Sequence, residues 1–154
     1  MYLTVHATCG ILIAQKTDNI LWAFIFSFIS HFILDAIPHG DQELLPHLSR
    51  AERLKRIVPI ASIDITIATV LISTLIFKNF LVLSPIILAG ITGATLPDFL
   101  NGFYELCDRK FFVIYGRFHH FCHHIIKKIQ FSFWVGFALQ IIVLSLMLAY
   151  FLKI

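Results

Sequence analysis

Long apolar runs separated by polar links make up most of the chain. A helix needs roughly 17 to 25 mostly apolar residues to cross a bilayer. The first run, Met1–Ala14, is short at about 21 Å of helix, and we count it as a fifth, short helix. The pattern therefore predicts an all-α, polytopic membrane helix bundle of about five helices, forming a single transmembrane domain over residues 1–154. The four full-length runs are Asn19–Ile37, Val58–Phe77, Phe80–Leu100 and Phe131–Leu152.

The polar links differ in length, which bears on how the helices are connected. Gln15–Asp18 and Lys78–Asn79 are so short that the helices on either side must form antiparallel hairpins. The other two links, Pro38–Ile57 and Asn101–Gln130, are long and polar. Within the first of them, residues 44–56 predict an amphipathic helix at the membrane interface, with leucines toward lipid and arginines among the headgroups.

Composition supports a membrane environment. Of the 154 residues, 58% are hydrophobic and 14% are charged, whereas soluble domains are about a quarter charged. The mean hydropathy is +0.86. We expect membrane lipids as partners and no nucleic acid, while the oligomeric state stays open. The three cysteines form no CxxC pair and no even set, so a disulfide framework is not expected.

The basic residues are distributed unequally between the links. Nine of the twelve Lys and Arg residues fall in the two long links. The positive-inside rule therefore places these links in the cytoplasm, with the N-terminus inside and the C-terminus outside the cell (inner) membrane. The nine are Arg50, Arg53, Lys55, Arg56, Arg109, Lys110, Arg117, Lys127 and Lys128.

Ionisable residues inside the apolar runs all fall toward this predicted cytoplasmic side. A charge at the bilayer centre costs at least about 2.5–3.5 kcal/mol, so such residues usually face a bundle interior and mark function. Independent accidents would scatter over both leaflets, and one shared site explains the clustering better. The residues are His6, His31, Asp35, Asp64 and Asp98, and the stretch HHFCHH (His119 to His124) lies at the same side.

The residue types of this cluster suit a divalent transition metal. His31 and Asp35 are spaced i and i+4, which places both on one helix face. Imidazole and carboxylate groups bind Zn²⁺ at about 2.0–2.2 Å, so zinc is the first expectation. The number of groups would suffice for two ions. The predicted metal ligands are His31, Asp35, Asp64, His119, His120, His123 and His124, with Asp98 and His6 as catalytic or ligand-orienting residues.

Simpler interpretations exist for each element. The His31–Asp35 pair could join helices by a hydrogen bond alone, and HHFCHH could lie among lipid headgroups without metal. Pro97 and Asp98 together are typical of a turn that ends a helix.

A weak internal repeat accompanies these motifs. Four pairs of similar residues are separated by about 58 to 60 positions. This spacing suggests that helices one and two are a duplicate of helices three and four, as in other membrane proteins with internal repeats. The aligned pairs are His6 with Asp64, Asn19 with Asn79, Pro38 with Pro97, and His39 with Asp98.

The motifs also resemble a known family. His6 followed by Gly10, the block SHFILDAIPHGD, the segment GATLPD (Gly93–Asp98) and the histidines after it resemble the membrane-bound metal-dependent hydrolases of bacterial inner membranes. The order differs, because the HxxxD pair here precedes the Pro-Asp element. The resemblance implies that His6, Asp98, His31 with Asp35, and the 119–124 histidines serve a metal-dependent hydrolase.

These observations lead to an expected function with two alternatives. The expectation is an integral-membrane, zinc-like hydrolase that cleaves a phosphoester or other ester of a lipid-like substrate at the cytoplasmic leaflet. The metal would lower the pKa of water, and a spare Asp would act as general base. The alternatives are a non-catalytic membrane protein with a structural His/Asp cluster, and a small metal or proton carrier.

Overall fold

A computed structural model describes residues 1–40, 48–107, 112–123 and 131–152, and within these ranges the regular structure is entirely helical. The all-α prediction is confirmed, but the described residues form six helices and not five. The helices are α1 (Leu3–Ala14), α2 (Ile20–Asp35), α3 (Arg50–Phe77), α4 (Pro85–Leu106), α5 (Val113–His123) and α6 (Phe133–Leu152).

Helix α2 begins and ends at residues that the sequence marks clearly. The Asn19 side chain accepts hydrogen bonds from the backbone N–H groups of Leu21, at 2.9 Å, and Trp22, at 3.2 Å. Such an N-cap satisfies donors that have no partner within the helix. The helix ends at Asp35, shortly before Pro38, which has no N–H to continue the hydrogen-bond pattern. The last two turns of α2 therefore carry His31 and Asp35.

Helix α3 starts earlier than the predicted span and is 28 residues long. Ser49 and Glu52 form a capping box, in which each side chain bonds the backbone of the other. The helix continues through Pro59 without a break. Residues 50–56 of the predicted interfacial segment are thus the first two turns of α3, and its residues 44–47 lie outside the described residues.

Helix α4 differs from its prediction at both ends. Ser84 accepts a hydrogen bond from the Ile87 N–H at 3.3 Å, and Pro85 occupies the first turn, so the helix begins five residues after Phe80. The predicted helix end at Pro97 is wrong, because Pro97 lies buried inside the helix, which runs on to Leu106. Proline is tolerated there because packing against neighbouring helices compensates for the missing hydrogen bond.

The additional helix, α5, falls in the stretch 101–130 that we assigned to a link. Its 11 residues are too few to cross a bilayer. Ile114, Phe118 and Phe121 are exposed along one side, while His119 and Cys122 are buried on the other. This division follows helical periodicity, and it turns His119 inward.

Close contact between backbones brings α4 against both α1 and α2. A Cβ added at Gly90 would lie against the carbonyl oxygen of Gly10, and one added at Gly93 would lie against that of Phe24. Small residues at such crossings allow membrane helices to approach closely and pack by van der Waals contact. Helix α4 is therefore the central helix on which α1 and α2 are assembled.

Among the described residues, three helices are long and apolar enough to cross a membrane, namely Ala51–Phe77 within α3, Pro85–Leu106 and Phe133–Leu152. Helices α1 and α2 are apolar but shorter. Large apolar side chains point outward, including Phe77 at 81% exposed and Trp134 at 74% exposed. Surfaces of this kind require lipid and not water around them. The chain is a membrane protein.

The proposed two-helix duplication finds no support in local structure. Asn19 caps the start of α2, whereas Asn79 follows the end of α3 with a positive φ of 57°. Pro38 lies beyond the end of α2, whereas Pro97 is inside α4. The aligned positions therefore occupy different local environments.

Candidate metal centre

Four side chains from three helices converge at one point of the bundle. They are His31 and Asp35 of α2, Asp98 of α4 and His119 of α5. One ligand atom from each lies within 4.8 Å of the other three. His31, Asp35 and His119 are buried, and the Asp98 side chain is 27% exposed. We refer to these four residues as the metal cluster, because a cluster of this kind could bind a metal ion.

Three of the ligand atoms lie close together, and the fourth, Asp98 Oδ1, lies farther out. His31 Nε2 lies 3.0 Å from Asp35 Oδ2 and 3.3 Å from His119 Nε2. His119 Nε2 lies 3.5 Å from Asp35 Oδ2, and Asp98 Oδ1 lies 3.7 and 3.9 Å from the two histidine nitrogens. Bonds of about 2.0–2.2 Å to tetrahedral zinc place neighbouring ligand atoms about 3.3–3.6 Å apart. His31, Asp35 and His119 thus lie near the spacing of three ligands of one metal ion, and Asp98 could complete the group or face a bound water.

Hydrogen bonding fixes which His31 nitrogen faces the cluster. His31 Nδ1 donates to the carbonyl oxygen of Ala94, at 2.8 Å. That bond leaves the Nε2 lone pair directed at Asp35 and His119. Metal-binding histidines commonly donate their second nitrogen to a carbonyl in this way, which sets the tautomer and ring orientation. Because α2 and α4 pack closely at Gly93, the Ala94 carbonyl oxygen lies within hydrogen-bond distance of His31.

Helix α5 is held in place one turn before His119. The Tyr115 hydroxyl donates to the Pro97 carbonyl oxygen at 2.6 Å. Burial raises the pKa of the Tyr115 phenol, so the group remains a protonated donor. Because Tyr115 and His119 are spaced i and i+4, the same bond turns His119 toward the cluster.

The second carboxylate oxygen of Asp35 faces away from the cluster, toward α1. Asp35 Oδ1 lies 3.1 Å from His6 Nε2 and also accepts from the amino group of Met1. The His6 ring stacks on the His31 ring with centroids 4.0 Å apart and planes at 24°. His6 is therefore outside the four ligand groups, and it orients both Asp35 and His31.

Asp64, a predicted ligand, lies apart from the metal cluster at the start of α1. Its carboxylate accepts from the backbone N–H groups of Leu3 and Thr4 and from the Thr4 hydroxyl, the last at 2.5 Å. Tyr2, the N-cap of α1, makes no side-chain cap bond. Asp64 thus caps α1 from α3, where a carboxylate also favours the positive end of the helix dipole.

Replacing Asp64 with asparagine tests this placement. Asp64→Asn is expected to lower the free energy of unfolding by about 1–3 kcal/mol, since buried donors lose a charged acceptor. Metal content should stay at the wild-type level. Thermal unfolding in detergent and elemental analysis measure the two quantities, with Asp18→Asn, an exposed carboxylate in the α1–α2 link, as control. Loss of metal in Asp64→Asn would instead make Asp64 a ligand.

Helix α5 directs neighbouring histidines of the predicted cluster to different sides. His119 is buried and joins the metal cluster, whereas His120 is exposed and lies outside it. The His123 side chain and residue His124 lie outside the described part of the chain, so their predicted ligand role stays a prediction. Helical geometry explains the division, because neighbouring residues point about 100° apart.

Two buried polar residues, His39 and Gln140, were not among the predicted site residues. His39 is buried after α2, with Nδ1 bonded to the Ile37 carbonyl oxygen at 2.7 Å. Gln140 of α6 accepts from the Tyr2 N–H at 2.6 Å and donates to the His39 carbonyl oxygen at 3.4 Å. An amide inside an apolar span was a signal for Gln140, because polar groups in membrane helices seek partners.

A cavity of about 490 Å³ borders the metal cluster on one side. Asp98 and His119 line it, together with residues of α3, α4 and α6, the first three residues of the chain, and His39. His31 and Asp35 do not border it. The cavity therefore reaches the cluster at Asp98 and His119.

Comparison with protein-family models, with curated proteins and with solved structures finds no match to this chain.

Proposed function

We propose that this protein is an integral-membrane, metal-dependent hydrolase that cleaves an ester or phosphoester of a lipid-like substrate. One observation carries the proposal: a two-histidine, two-aspartate cluster that meets a cavity at a partly exposed carboxylate, Asp98. A wholly structural cluster would not need that cavity.

The residues divide into those that hold the ion and one that faces the substrate. His31, Asp35 and His119 are buried and lie closest together, so they would hold the ion. Zinc bound there would polarise the scissile group and lower the pKa of water. Asp98 Oδ1 lies farther from both histidines and borders the cavity. We assign it the general-base role, accepting a proton from the attacking water.

His6 supports the site without entering it. Its Nε2 holds Asp35 Oδ1 while its ring stacks on His31, so it restricts the orientation of two ligand groups at once. Partners of this kind raise metal affinity by orienting the ligands.

The resemblance in motif to membrane-bound metal-dependent hydrolases supports the same proposal. His31 with Asp35, Asp98 and His119 are among the residues that carry it, and these four form the metal cluster. The excess of Lys and Arg in the two long links supports placing the site at the cytoplasmic leaflet of a bacterial inner membrane.

A structural metal site is the second candidate, and one observation favours it. Four protein groups close enough to share one ion would fill the coordination shell of zinc, whereas catalytic sites keep one position open. The two functions differ in the role they give to Asp98. In a structural site Asp98 is a ligand, and in an enzyme it can be lost without losing the ion.

Asp98→Asn distinguishes these two functions. For the hydrolase, the variant keeps its metal on three ligands but loses activity by about 100-fold or more, the usual size of a general-base contribution. Zinc content is measured by elemental analysis. Activity is measured as zinc-dependent release of p-nitrophenol from acyl p-nitrophenyl ester and phosphoester probes in mixed micelles.

Glu105→Gln is the matched control on the same helix and the same cavity, because Glu105 is paired with Arg53 at 3.2 Å. It should retain both metal and activity. Loss of metal and of thermal stability together in Asp98→Asn, with no zinc-dependent hydrolysis by the wild type, would favour the structural site.

A further inference from the structure

Pro97 lies fully buried inside α4, directly before Asp98 of the metal cluster. Proline is the least favourable residue for a helix interior. It has no backbone N–H, so the Gly93 carbonyl oxygen loses the helical donor that residue 97 would otherwise supply. The proline ring also presses against that carbonyl, which typically kinks a helix. Pro97 therefore separates α4 into two parts whose directions can differ.

The part of α4 before Pro97 is fixed against α2. A Cβ added at Gly93 would lie 2.4 Å from the Phe24 carbonyl oxygen, so the two backbones are in direct contact there. The next carbonyl oxygen, that of Ala94, accepts from His31 Nδ1 at 2.8 Å. This part of α4 therefore determines where the α2 ligands lie.

The part of α4 from Pro97 onward holds α5. The Pro97 carbonyl oxygen accepts from the Tyr115 hydroxyl at 2.6 Å. A Cβ added at Gly116 would lie 2.5 Å from Tyr104 Cε1, so α5 also packs closely on the later turns of α4. Asp98 belongs to this part of α4 as well. The direction of this part therefore determines where Asp98 and the α5 ligand lie.

The metal cluster thus has two sides that are held by different parts of one helix. His31 and Asp35 form the α2 side, and Asp98 and His119 form the α4–α5 side. All four ligand atoms lie within 4.8 Å of one another. A change of about 20° in the direction of a helix moves a group about 10 Å away by roughly 3–4 Å. The angle at Pro97 therefore decides whether the two sides can share one ion.

We propose that Pro97 is a positioning residue of the metal cluster, which aligns the α4–α5 side with the α2 side through the bend that it imposes on α4. The inference deepens the proposed function and rests on its metal ion. It does not depend on the reaction, because zinc binding is measured without any substrate.

Pro97→Ala restores the missing N–H and should straighten α4. Zinc affinity of the full chain in detergent, measured by competition with a chelator, should fall by about 10–100-fold, the size usual when groups that orient metal ligands are lost. Pro59→Ala is the matched control, because Pro59 also lies inside a helix, α3, but is exposed and outside the metal cluster. That variant should keep the wild-type affinity.

Cobalt(II) in place of zinc distinguishes a misaligned cluster from a less stable protein. Its visible absorption depends on the geometry and identity of the ligands. At saturating cobalt, Pro97→Ala should show band positions and intensities different from those of the wild type. A variant that had only lost stability would give the wild-type spectrum once it was saturated.

Tyr115→Phe tests the same contact from α5 without changing α4. It removes the hydroxyl that donates to the Pro97 carbonyl oxygen, and zinc affinity should again fall by about 10-fold or more. Because both substitutions act on one contact, their losses in the double variant should be less than additive. Tyr104→Phe is the control, since the Tyr104 hydroxyl has no hydrogen-bond partner among the described residues, and it should keep the wild-type affinity.

Wild-type zinc affinity and cobalt spectrum in Pro97→Ala would overturn the proposal, as would equal losses in Pro97→Ala and Pro59→Ala or fully additive losses in the double variant. If circular dichroism shows that Pro97→Ala does not fold, unchanged affinity in Tyr115→Phe would overturn it. Zinc binding that depends on Pro97, in a protein without hydrolytic activity, would support the positioning role and contradict the hydrolase. Zinc-dependent hydrolysis with unchanged zinc affinity in Pro97→Ala would contradict the positioning role alone.

Discussion

His119→Ala is expected to remove most of the bound metal, whereas His120→Ala should leave it in place. His119 is buried with its Nε2 within 3.5 Å of both a histidine nitrogen and a carboxylate oxygen. His120, the next residue, is exposed and outside the metal cluster. Loss of an orienting partner alone costs about 10–100-fold in metal affinity, so loss of a ligand should exceed about 100-fold.

Competitive titration with a zinc chelator measures the affinity of each variant. Circular dichroism and thermal unfolding of the apo proteins show whether either substitution damages the fold. Added imidazole should partly restore binding in His119→Ala, because it replaces the missing ligand. Equal losses in the two variants would contradict the site described here and would point to the whole 119–124 stretch as the binding element.

Gly90→Ala is expected to destabilise the bundle strongly, whereas Gly102→Ala should not. A Cβ at Gly90 would lie against the Gly10 carbonyl oxygen and 2.7 Å from the Ala14 Cβ. Neither of these atoms can move without separating α1 from α4. Overpacking typically lowers the free energy of unfolding by about 1–3 kcal/mol. Because the backbone contact at Gly90 is rigid, we expect Gly90→Ala to reach or exceed the upper end of this range.

The control substitution is made in the same helix. A Cβ at Gly102 would meet no atom within 4 Å, and alanine gains helix propensity worth up to about 1 kcal/mol over glycine. Gly102→Ala should therefore be neutral or stabilising. Thermal unfolding in one detergent compares the two. Equal stability of both variants would contradict the close α1–α4 crossing.

Much of the fold was accessible from the sequence because apolar periodicity and caps act locally. Asn19 and Pro38 bracket α2, and the hydrophobic runs predicted α3 and α6 to within a few residues at their C-terminal ends. The failures had tertiary causes. Pro97 was expected to end a helix, but burial among neighbouring helices keeps α4 continuous.

The candidate site was likewise predictable where local spacing decides it and unpredictable where tertiary contacts do. The i, i+4 spacing of His31 and Asp35 was sufficient to predict that both face one point, and the structure places their ligand atoms 3.0 Å apart. Asp64 was grouped with them because of its depth in the span. Depth alone does not give the direction of a side chain, and Asp64 points instead to the start of α1.

Composition alone could not show which histidine of the 119–124 stretch joins the metal cluster. Four histidines in six residues look equivalent until a helix axis and one anchoring bond are known. The Tyr115 hydroxyl at Pro97 supplies that anchor, and it selects His119 over His120. Contacts between residues distant in sequence decide such choices, and no local pattern encodes them.

X-ray absorption spectroscopy at the zinc edge of the purified, zinc-loaded protein is the most direct test of the metal centre. The proposed function predicts about one zinc per chain, with two histidine nitrogens, one Asp35 oxygen and a second oxygen from water or Asp98 at about 2.0–2.2 Å, and loss of histidine scattering in His31→Ala/His119→Ala. Absence of stoichiometric zinc in the wild type, or a shell unchanged in the double variant, would contradict a metal centre at His31, Asp35, Asp98 and His119.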